Sequence, residues 1–310
     1  MPATILCCGE ALIDMLPAMT DDNRESFVPV CGGSVFNTAV ALGRLGENAR
    51  FLGGLSTDMF GETLRKSLEE SHVDARLSLS SDRPTTLAFV RLVNGQAQYA
   101  FFDENSAGRM LRPEDIPDLP QQVKTLFFGG ISLATEPCAT AYETLMQRQA
   151  GRCVTMLDPN IRPGFIADEI RYRARLEHMV SMADIVKVSD EDLHWWFGAG
   201  DVQSLARKIL AMGPNLVFLT RGSSGATAIT PLHTVACPAS EVSVVDTVGA
   251  GDTFNAGVLH ALNTQGALTK PSIQALDRSV LQEALGLAVQ AASITVSRAG
   301  ADAPWKEELQ

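Results

Sequence analysis

The sequence is poor in several features that mark large classes of protein. Its 25 lysine and arginine residues stand against 36 aspartate and glutamate residues, which gives a formal net charge of −11. An acidic chain of this kind lacks the basic surface that binds nucleic-acid phosphates. No apolar run reaches the length of about 18 residues that a membrane-spanning helix needs. We therefore expect neither a nucleic acid nor a membrane as a partner.

Cysteine and histidine are sparse and scattered. No two cysteines form a C-x-x-C pair and no two histidines are spaced i, i+4, so the sequence predicts reduced thiols and no zinc site. The cysteines are Cys7, Cys8, Cys31, Cys138, Cys153 and Cys237, and the histidines are His72, His178, His194, His233 and His260. The first residues lack the basic flank and long apolar segment of a signal peptide, so a cytoplasmic location is expected.

The composition present is that of a globular protein, with 45% hydrophobic and 20% charged residues. Short β-rich apolar runs alternate with longer segments of helical periodicity. The predicted strands are 4–9, 50–55, 125–129, 154–158, 185–188 and 216–220, and the predicted helices are 35–45, 60–71, 139–150, 169–182, 202–212, 250–262 and 281–295. This order predicts a single α/β domain over residues 1–310, with a mostly parallel sheet between helices and ligands at the carboxyl ends of the strands.

Two segments interrupt this alternation. Residues 14–30 and 85–102 have the pattern of strands without an intervening helix, and Val93-Asn94-Gly95-Gln96 is typical of a hairpin turn. They could pair into a small sheet that stands off the main one, or they could be long surface loops. Structureless loops of this length are uncommon in compact domains. We therefore predict a β-sheet lid.

Residues 246–254 (DTVGAGDTF) place small residues just before an acid at the predicted start of a helix. Gly249, Ala250 and Gly251 let the backbone approach a ligand closely, and the free N–H groups of the first helical turn attract an anion. A carboxylate beside a bound phosphate is repelled, so Asp252 fits a base that accepts a proton from a nucleophilic hydroxyl. The alternative is a tight turn followed by a helix-capping aspartate.

A second cluster lies near the amino terminus. Gly32 and Gly33 open a predicted helix, and Asn37 lies about one turn inside it, where it offers both a donor and an acceptor. Together with Asp14 at a strand end, these residues suit a ligand rich in hydroxyl groups. The alternative is an ordinary helix start with a polar surface residue.

These two motifs, in this order and at this separation, resemble the signatures of the ribokinase-like, or PfkB, carbohydrate kinase family. Further matching segments are 9–14 (GEALID), 54–61 (GLSTDMFG), 158–163 (DPNIRP), 187–192 (KVSDED) and 220–225 (TRGSSG). The resemblance covers nearly the whole chain and is greatest to the fructokinases. It implies a ribokinase-like three-layer sandwich with a small β-sheet lid.

The resemblance also implies roles for the matching residues. Asp252 would be the catalytic base, while the amides of Gly249, Ala250 and Gly251 would form an anion hole for the moving phosphoryl group. The sugar would contact Asp14, Gly32, Gly33, Asn37, Phe101 and Arg162. Closure of the lid would exclude water, which would otherwise accept the phosphate.

The cofactors implied by the resemblance are ATP, Mg²⁺ and K⁺. The ATP site would contain Asn160, Lys187, Asp192, Thr220, Arg221, Gly222, Ser223, Gly225 and Val289, with Val289 beside adenine. Asp192 or its neighbour Glu191 would help to organise Mg²⁺. The positions that match the monovalent-cation site of many family members are Asp246, Val248, Thr295, Arg298 and Gly300.

The function implied is transfer of the ATP γ-phosphate to a primary hydroxyl of a ketohexose, giving fructose 6-phosphate from D-fructose. Ribose, 2-keto-3-deoxygluconate and a nucleoside such as aminoimidazole riboside remain alternative acceptors. A non-catalytic sugar sensor is disfavoured by Asp252, and a nicotinamide-dependent dehydrogenase by the lack of a G-x-G-x-x-G after the first strand. A protruding lid sheet would expose strand edges and an apolar face, so a homodimer is expected.

Overall fold

The structure of the protein, a computed structural model, describes residues 3–93 and 96–309. Its strands are β1 (Thr4–Cys8), β2 (Leu12–Met19), β3 (Glu25–Gly32), β4 (Ala49–Leu52), β5 (Gly54–Ser56), β6 (Leu79–Ser81), β7 (Leu87–Val93), β8 (Gln96–Phe102), β9 (Val123–Gly129), β10 (Val154–Asp158), β11 (Ile185–Ser189), β12 (Leu216–Thr220), β13 (Ala226–Ile229) and β14 (Thr234–Cys237). Its α-helices are α1 (Ser34–Arg44), α2 (Met59–Glu70), α3 (Cys138–Gln149), α4 (Glu169–Met182), α5 (Asp190–Phe197), α6 (Val202–Ala211), α7 (Ala250–Thr264), α8 (Lys270–Ile273) and α9 (Arg278–Val296). Most predicted elements are confirmed to within a few residues.

The largest sheet in the described part of the chain contains eight strands in the order β14-β13-β12-β11-β10-β9-β1-β4. The strands from β12 to β4 are parallel, and β13 and β14 form an antiparallel edge. Every residue of β10 is buried, because helices cover both faces of the sheet. The predicted mostly parallel sheet is confirmed, and the carboxyl ends of its parallel strands share one edge.

Two apolar clusters, one on each face, attach the helices to this sheet. Phe127 of β9 lies in one cluster with Phe36 of α1 and Phe254 of α7. The adjacent Phe128 lies in the other cluster with Tyr142 of α3. Neighbouring residues of a strand point to opposite faces, so these two phenylalanines anchor the two helical layers. The predicted three-layer sandwich is confirmed.

A smaller sheet, which we call the lid sheet, consists of β3, β2, β7 and β8 in that order. β2 runs antiparallel to β3 and parallel to β7, and β8 runs antiparallel to β7. Ala88 pairs with Asp14 on one side and with Phe101 on the other, so these two predicted sugar residues lie in one row. The predicted lid is confirmed as a sheet, while the turn predicted at 94–95 lies outside the described residues.

Three predictions of secondary structure need correction. The single strand predicted at 50–55 is wrong: a Cβ on Gly53 would lie 2.5 Å from the Gly9 carbonyl oxygen, and here β4 ends and β5 leaves to pair with β6. Helix α5 is absent from the sequence prediction because its eight residues show no clear apolar period; a capping box at Ser189 begins it. The antiparallel edge formed by β13 and β14 is likewise absent from the prediction.

Helix α9 has the length and composition of a membrane-spanning helix, with 19 residues and a mean hydropathy of 1.2. In the structure its Leu281, Leu285 and Ala288 are buried in the same cluster as α7. The two helices approach closely at Gly257, where a Cβ would lie 2.7 Å from the Ala288 Cα. Helix α9 is therefore a core helix of the sandwich.

Candidate active site

A cleft of about 320 Å³ lies at the carboxyl edge of the central sheet, between the lid sheet and the first turns of α1 and α7. The predicted site residues that line it are Asp14, Gly33, Asn37, Phe101, Asn160, Arg162, Lys187, Val248, Gly249, Gly251 and Asp252. The structure thus brings together residues that are up to 238 positions apart in the chain, from Asp14 to Asp252. Most of the residues predicted for catalysis and for sugar binding meet here.

Asp252 lies in the first turn of α7 and is 7% exposed. Its Oδ1 accepts a hydrogen bond from Ser34 Oγ at 2.7 Å, and its Oδ2 accepts one from Asn37 Nδ2 at 2.9 Å. Ser34 and Asn37 are spaced i, i+3 and therefore share one face of α1. The residue that precedes α7 is Gly249 rather than Asp252. The Asp252 side chain is therefore bound to another helix, which argues against the helix-cap interpretation.

The pKa of Asp252 matches the task of a base. Burial raises it to about 6, and the hydrogen bonds from Asn37 and Ser34 only partly offset that effect. Burial, followed by the charge of Asp252, also raises the pKa of Asp14 to about 6. A carboxylate with a pKa near 6 is a stronger base than an exposed one and is still mostly ionised at neutral pH. The arrangement can therefore accept a proton from a bound hydroxyl.

The turn before α7 presents backbone donors to the same cleft. Gly249 has φ 76°, a left-handed conformation, and a Cβ there would lie 2.5 Å from the Ala301 Cβ. Among the described residues, the Gly249 and Gly251 amides have no acceptor in the protein, whereas the Ala250 amide donates to the Thr247 carbonyl at 3.4 Å. The predicted anion hole therefore has two free donors at the positive end of a helix dipole.

Lys187 supplies a buried positive charge beside these donors. Its Nζ lies 3.1 Å from Oδ2 of the fully buried Asp158, and Asn255 Nδ2 donates to the same oxygen at 2.7 Å. Burial acts to lower the pKa of Lys187, but the charges of Asp158 and Asp192 outweigh it and raise the pKa above its usual value. A Cβ on Gly251 would lie 3.2 Å from Nζ, so the ammonium group lies directly beside the predicted anion hole.

The side of the cleft where the sugar is predicted to bind is built from the lid sheet and the start of α1. A Cβ on Gly32 would lie 2.1 Å from Asp14 Oδ2, so glycine makes room for the carboxylate. Gly33 has φ 107° and begins α1. The Phe101 ring packs edge-on against Phe165, with the ring centroids 4.0 Å apart. These residues border the space that faces Asp252.

The residues predicted for the nucleotide lie in several places. Asn160 and Lys187 line the cleft. The turn that contains Thr220, Arg221, Gly222, Ser223 and Gly225 follows β12 at the same sheet edge, but these described residues are not part of the cleft wall. Val289 is 7% exposed and packs in the apolar core beside α7. Its place beside adenine stays a prediction.

Asp192 has a structural role in the described part of the chain. Its Oδ1 accepts a hydrogen bond from the Ile161 amide at 2.8 Å, and its Oδ2 accepts bonds from the Ser189 amide at 2.9 Å and the Ser189 hydroxyl at 2.7 Å. These bonds fix the start of α5 to the loop after β10. A role of Asp192 in organising Mg²⁺ stays a prediction.

The residues predicted for a monovalent cation join two loops beside the anion hole. Asp246 Oδ1 accepts a hydrogen bond from the Val248 amide at 3.0 Å, and Oδ2 accepts one from the Gly300 amide at 2.9 Å. The Thr295 carbonyl accepts a bond from the Arg298 amide at 3.0 Å, and the Arg298 side chain pairs with Glu308. The loops are brought together as predicted, while the cation itself stays a prediction.

Sequence reasoning missed four residues that shape this site: Ser34, Glu10, Asp158 and Asn255. Glu10 Oε1 accepts a hydrogen bond from the Ser34 amide at 3.0 Å and so orients the first turn of α1. The i, i+3 spacing of Ser34 and Asn37 could have indicated Ser34. Nothing in the sequence pairs Asp158 with Asn255, because that contact exists only after β10 and α7 pack together.

Comparison with known proteins gives consistent results. The fructokinase of Rhizobium leguminosarum bv. trifolii is 50% identical over 278 residues, which cover 90% of this chain and 85% of that protein. The structure of the Xylella fastidiosa fructokinase with bound ATP has a TM-score of 0.89 and 28% identity, and the match covers 99% of this chain and 96% of that chain. The aminoimidazole riboside kinase of Salmonella enterica, complexed with aminoimidazole riboside and an ATP analogue, has a TM-score of 0.85 and 25% identity, with 99% and 98% covered.

The family model for the pfkB family carbohydrate kinases matches residues 2–308, which is nearly the whole chain. The matched region includes both the anion-hole turn before α7 and the glycine pair before α1. The fold, the cleft and these similarities agree, and the chain belongs to the pfkB family of carbohydrate kinases.

Proposed function

We propose that the protein is an ATP-dependent fructokinase, which transfers the γ-phosphate of ATP to the 6-hydroxyl of D-fructose. The observation that carries the proposal is the Asp252 carboxylate, held by Ser34 and Asn37 between the sugar side of the cleft and the free amides of Gly249 and Gly251. The fructokinase that is 50% identical supports fructose as the acceptor.

The first step is activation of the acceptor hydroxyl. The primary hydroxyl of the sugar lies against Asp252, which takes its proton as the oxygen attacks the γ-phosphorus. The bond from the γ-phosphorus to the β,γ-bridging oxygen breaks, and ADP leaves with that oxygen. A proton acceptor with a pKa of about 6 suits this role, because the alcohol loses its proton only as the new P–O bond forms. Ser34 and Asn37 keep both carboxylate oxygens in fixed positions throughout.

The second contribution is stabilisation of the transferring phosphoryl group. Negative charge on its oxygens meets the free amides of Gly249 and Gly251 and the ammonium group of Lys187. Such preorganised donors stabilise the transition state more than the ground state. The buried Asp158 keeps Lys187 in place without reaching the phosphate itself.

The cations are bound together with the nucleotide in this proposal. The described residues contain no cluster of three or more His, Cys, Asp or Glu side chains that would form a dedicated metal site. This fits Mg²⁺, which keeps several waters and is carried mainly by substrate phosphates, with Asp192 or Glu191 nearby. When bound, Mg²⁺ neutralises phosphate charge. The carboxylate of Asp246 and the carbonyls of its loop are oxygen ligands that suit K⁺.

The lid sheet has an exposed apolar face that supports a homodimer. Phe27 is 46% exposed and Phe102 is 62% exposed, and both side chains lie on the same face of the sheet as Phe89. Phe89 packs between the rings of Phe27 and Phe102, at centroid distances of 5.0 and 5.4 Å. A second copy of the chain that covered this face would remove it from water. Sedimentation equilibrium measures the association directly.

A coupled assay of ADP release, run over fructose, ribose, 2-keto-3-deoxygluconate and aminoimidazole riboside, tests the proposal. We expect the highest kcat/KM with fructose. The similarity to aminoimidazole riboside kinase makes the nucleoside the second candidate. Turnover of the nucleoside without turnover of fructose would replace the proposed acceptor, and no turnover of any of them would favour the sugar sensor.

A further inference from the structure

The hairpin formed by β7 and β8 joins the body of the protein at two short segments, 84–86 and 103–107, which we call the lid root. The Ala107 amide donates to the Pro84 carbonyl at 2.9 Å, so the two segments lie side by side. The root also packs tightly on the body: a Cβ on Gly54 would lie 1.9 Å from the Ala107 carbonyl oxygen. The position of the hairpin over the cleft is therefore set at the root.

Asp103 cross-links the two segments of the root. Its Oδ1 accepts hydrogen bonds from Thr86 Oγ1 at 2.8 Å and from Ser106 Oγ at 2.9 Å. Its Oδ2 lies 3.8 Å from Arg109 Nη1. Asp103 is 9% exposed, Thr86 is 4% exposed and Ser106 is 1% exposed, so these bonds are shielded from water. A buried polar cluster whose members are all bonded holds one arrangement firmly.

The two strands of the hairpin are attached in different ways. Asp58, the residue that caps α2, accepts hydrogen bonds from the Thr85 amide at 2.8 Å and the Thr85 hydroxyl at 2.7 Å, and β7 also pairs with β2. β8 is the edge strand of the lid sheet and, in the described part of the chain, pairs with β7 alone. Beyond its pairing with β7, the end of β8 that carries Phe101 is attached to the body through the bonds of Asp103.

Phe101 has room to move if that attachment is lost. Phe101 and Asp103 are two positions apart and line the same cavity of about 430 Å³, and Phe101 also lines the cleft. Phe165 lines this cavity as well and contacts the Phe101 ring.

We propose that Asp103 is a positioning residue for the acceptor sugar: it fixes the end of β8 so that Phe101 stays at the cleft and does not turn into the neighbouring cavity. The proposal rests on the proposed function in one respect, that fructose is the acceptor bound in the cleft that Phe101 lines. Asp103 acts on acceptor binding through Phe101 and takes no part in the transfer of the phosphoryl group. Its replacement affects the KM for fructose and leaves the KM for ATP unchanged.

A double-mutant cycle tests this coupling. We expect D103A to raise the KM for fructose by about tenfold, which corresponds to about 1.4 kcal/mol of binding, with the KM for ATP unchanged. Asp103→Asn keeps an acceptor for Thr86 and Ser106, so it should restore most of the affinity. In a Phe101→Ala background, D103A should add little, because residues that act through one another give non-additive effects.

Asp184 provides a matched control. It is also buried, it also accepts hydrogen bonds from a threonine, Thr155, and it lies before β11 at the opposite edge of the sheet from the cleft. D184A should lower the melting temperature as D103A does but leave both KM values unchanged. The proposal would be overturned if D103A and D184A changed the KM for fructose and the KM for ATP to the same extent. Fully additive effects of D103A and F101A on the KM for fructose would also overturn it. An F101A variant with a normal KM for fructose would also overturn it, whereas a wild-type protein that does not use fructose would instead count against the proposed function.

Discussion

Asn37 Nδ2 lies 2.9 Å from Asp252 Oδ2, and this hydrogen bond joins the first turn of α1 to the first turn of α7 across 215 positions of sequence. Ser34 makes the parallel bond to the other carboxylate oxygen at 2.7 Å. The residues expected to hold the sugar therefore also orient the expected base. In the proposed function, sugar binding and proton transfer are therefore coupled through a single carboxylate.

Replacement of that carboxylate should remove most of the activity. For Asp252→Asn we expect kcat to fall by about 10²–10⁴-fold, since general base catalysis contributes that range, with little change in the KM for ATP. Steady-state kinetics with fructose and ATP measure this. Asp201→Asn is the control, because Asp201 caps the exposed start of α6 and should keep full activity. An Asp252→Asn variant with near-normal kcat would show that another group takes the proton.

The pH dependence of kcat/KM should have an acid limb with an apparent pKa near 6. Burial raises the pKa of Asp252 to about 6, so the base loses activity by protonation as the pH falls through that value. Ser34→Ala removes a bond that lowers this pKa, so the limb should move to higher pH. Asp14 titrates in the same range, and the observed value belongs to the pair. A limb that stayed near pH 4 in both proteins would contradict the assignment.

The same two carboxyl groups predict the direction of a stability change. Their pKa values are raised in the folded protein from 3.8 to about 6, so the folded state binds protons more tightly than the unfolded state. Their contribution to the free energy of unfolding is full below pH 3.8 and is lost as the pH rises through 6. Urea unfolding of wild type and Asp252→Asn between pH 4 and pH 7 measures it, and the wild type should show the steeper fall over about that range.

Gly249→Ala should disrupt the anion hole through the backbone. The residue has φ 76°, and a Cβ would lie 2.5 Å from the Ala301 Cβ and 2.7 Å from its Cα. We expect kcat to fall by at least about tenfold, a loss of about 1.4 kcal/mol in transition-state stabilisation. Gly266→Ala is the control for backbone strain without steric overlap. Gly266 also has a positive φ, 67°, but its Cβ would meet nothing within 4 Å. Equal activity of the two variants would mean that the contact with Ala301 does not matter.

Lys187→Met should lower both activity and stability. The ammonium group lies beside the anion hole, and loss of one preorganised donor typically reduces kcat by about 10²–10³-fold. Asp158 would be left buried without its charge partner, which costs about 3–5 kcal/mol of folding free energy. Lys270→Met is the control: its ion pair with Asp184 is partly exposed and distant from the cleft, so kcat should be unchanged. Unfolding curves and kinetics of both variants separate the two effects.

Much of the fold followed from local patterns. The bounds of strand β10 and helix α4 were predicted correctly from their apolar residues. The strand is a continuous buried run, and the helix is long enough to bury one complete face. Short elements could not be predicted from such patterns. Strand β5 and helix α5 carry too few residues for a period to show, and their positions depend on Gly53 and on the capping box at Ser189.

For the site, local sequence patterns were enough to identify the turn before α7, the glycine pair before α1 and the kinase family that these motifs resemble. Glycine conformation and helix polarity are local properties, so a motif of nine residues carries them. Three contacts could be found only in the folded protein: Ser34 and Asn37 bind Asp252, Asp158 pairs with Lys187 beside Gly251, and Asp103 accepts a bond from Thr86 at the lid root. Each of these contacts joins elements from different parts of the fold, and their geometry exists only once the sheet, the helices and the lid have packed together.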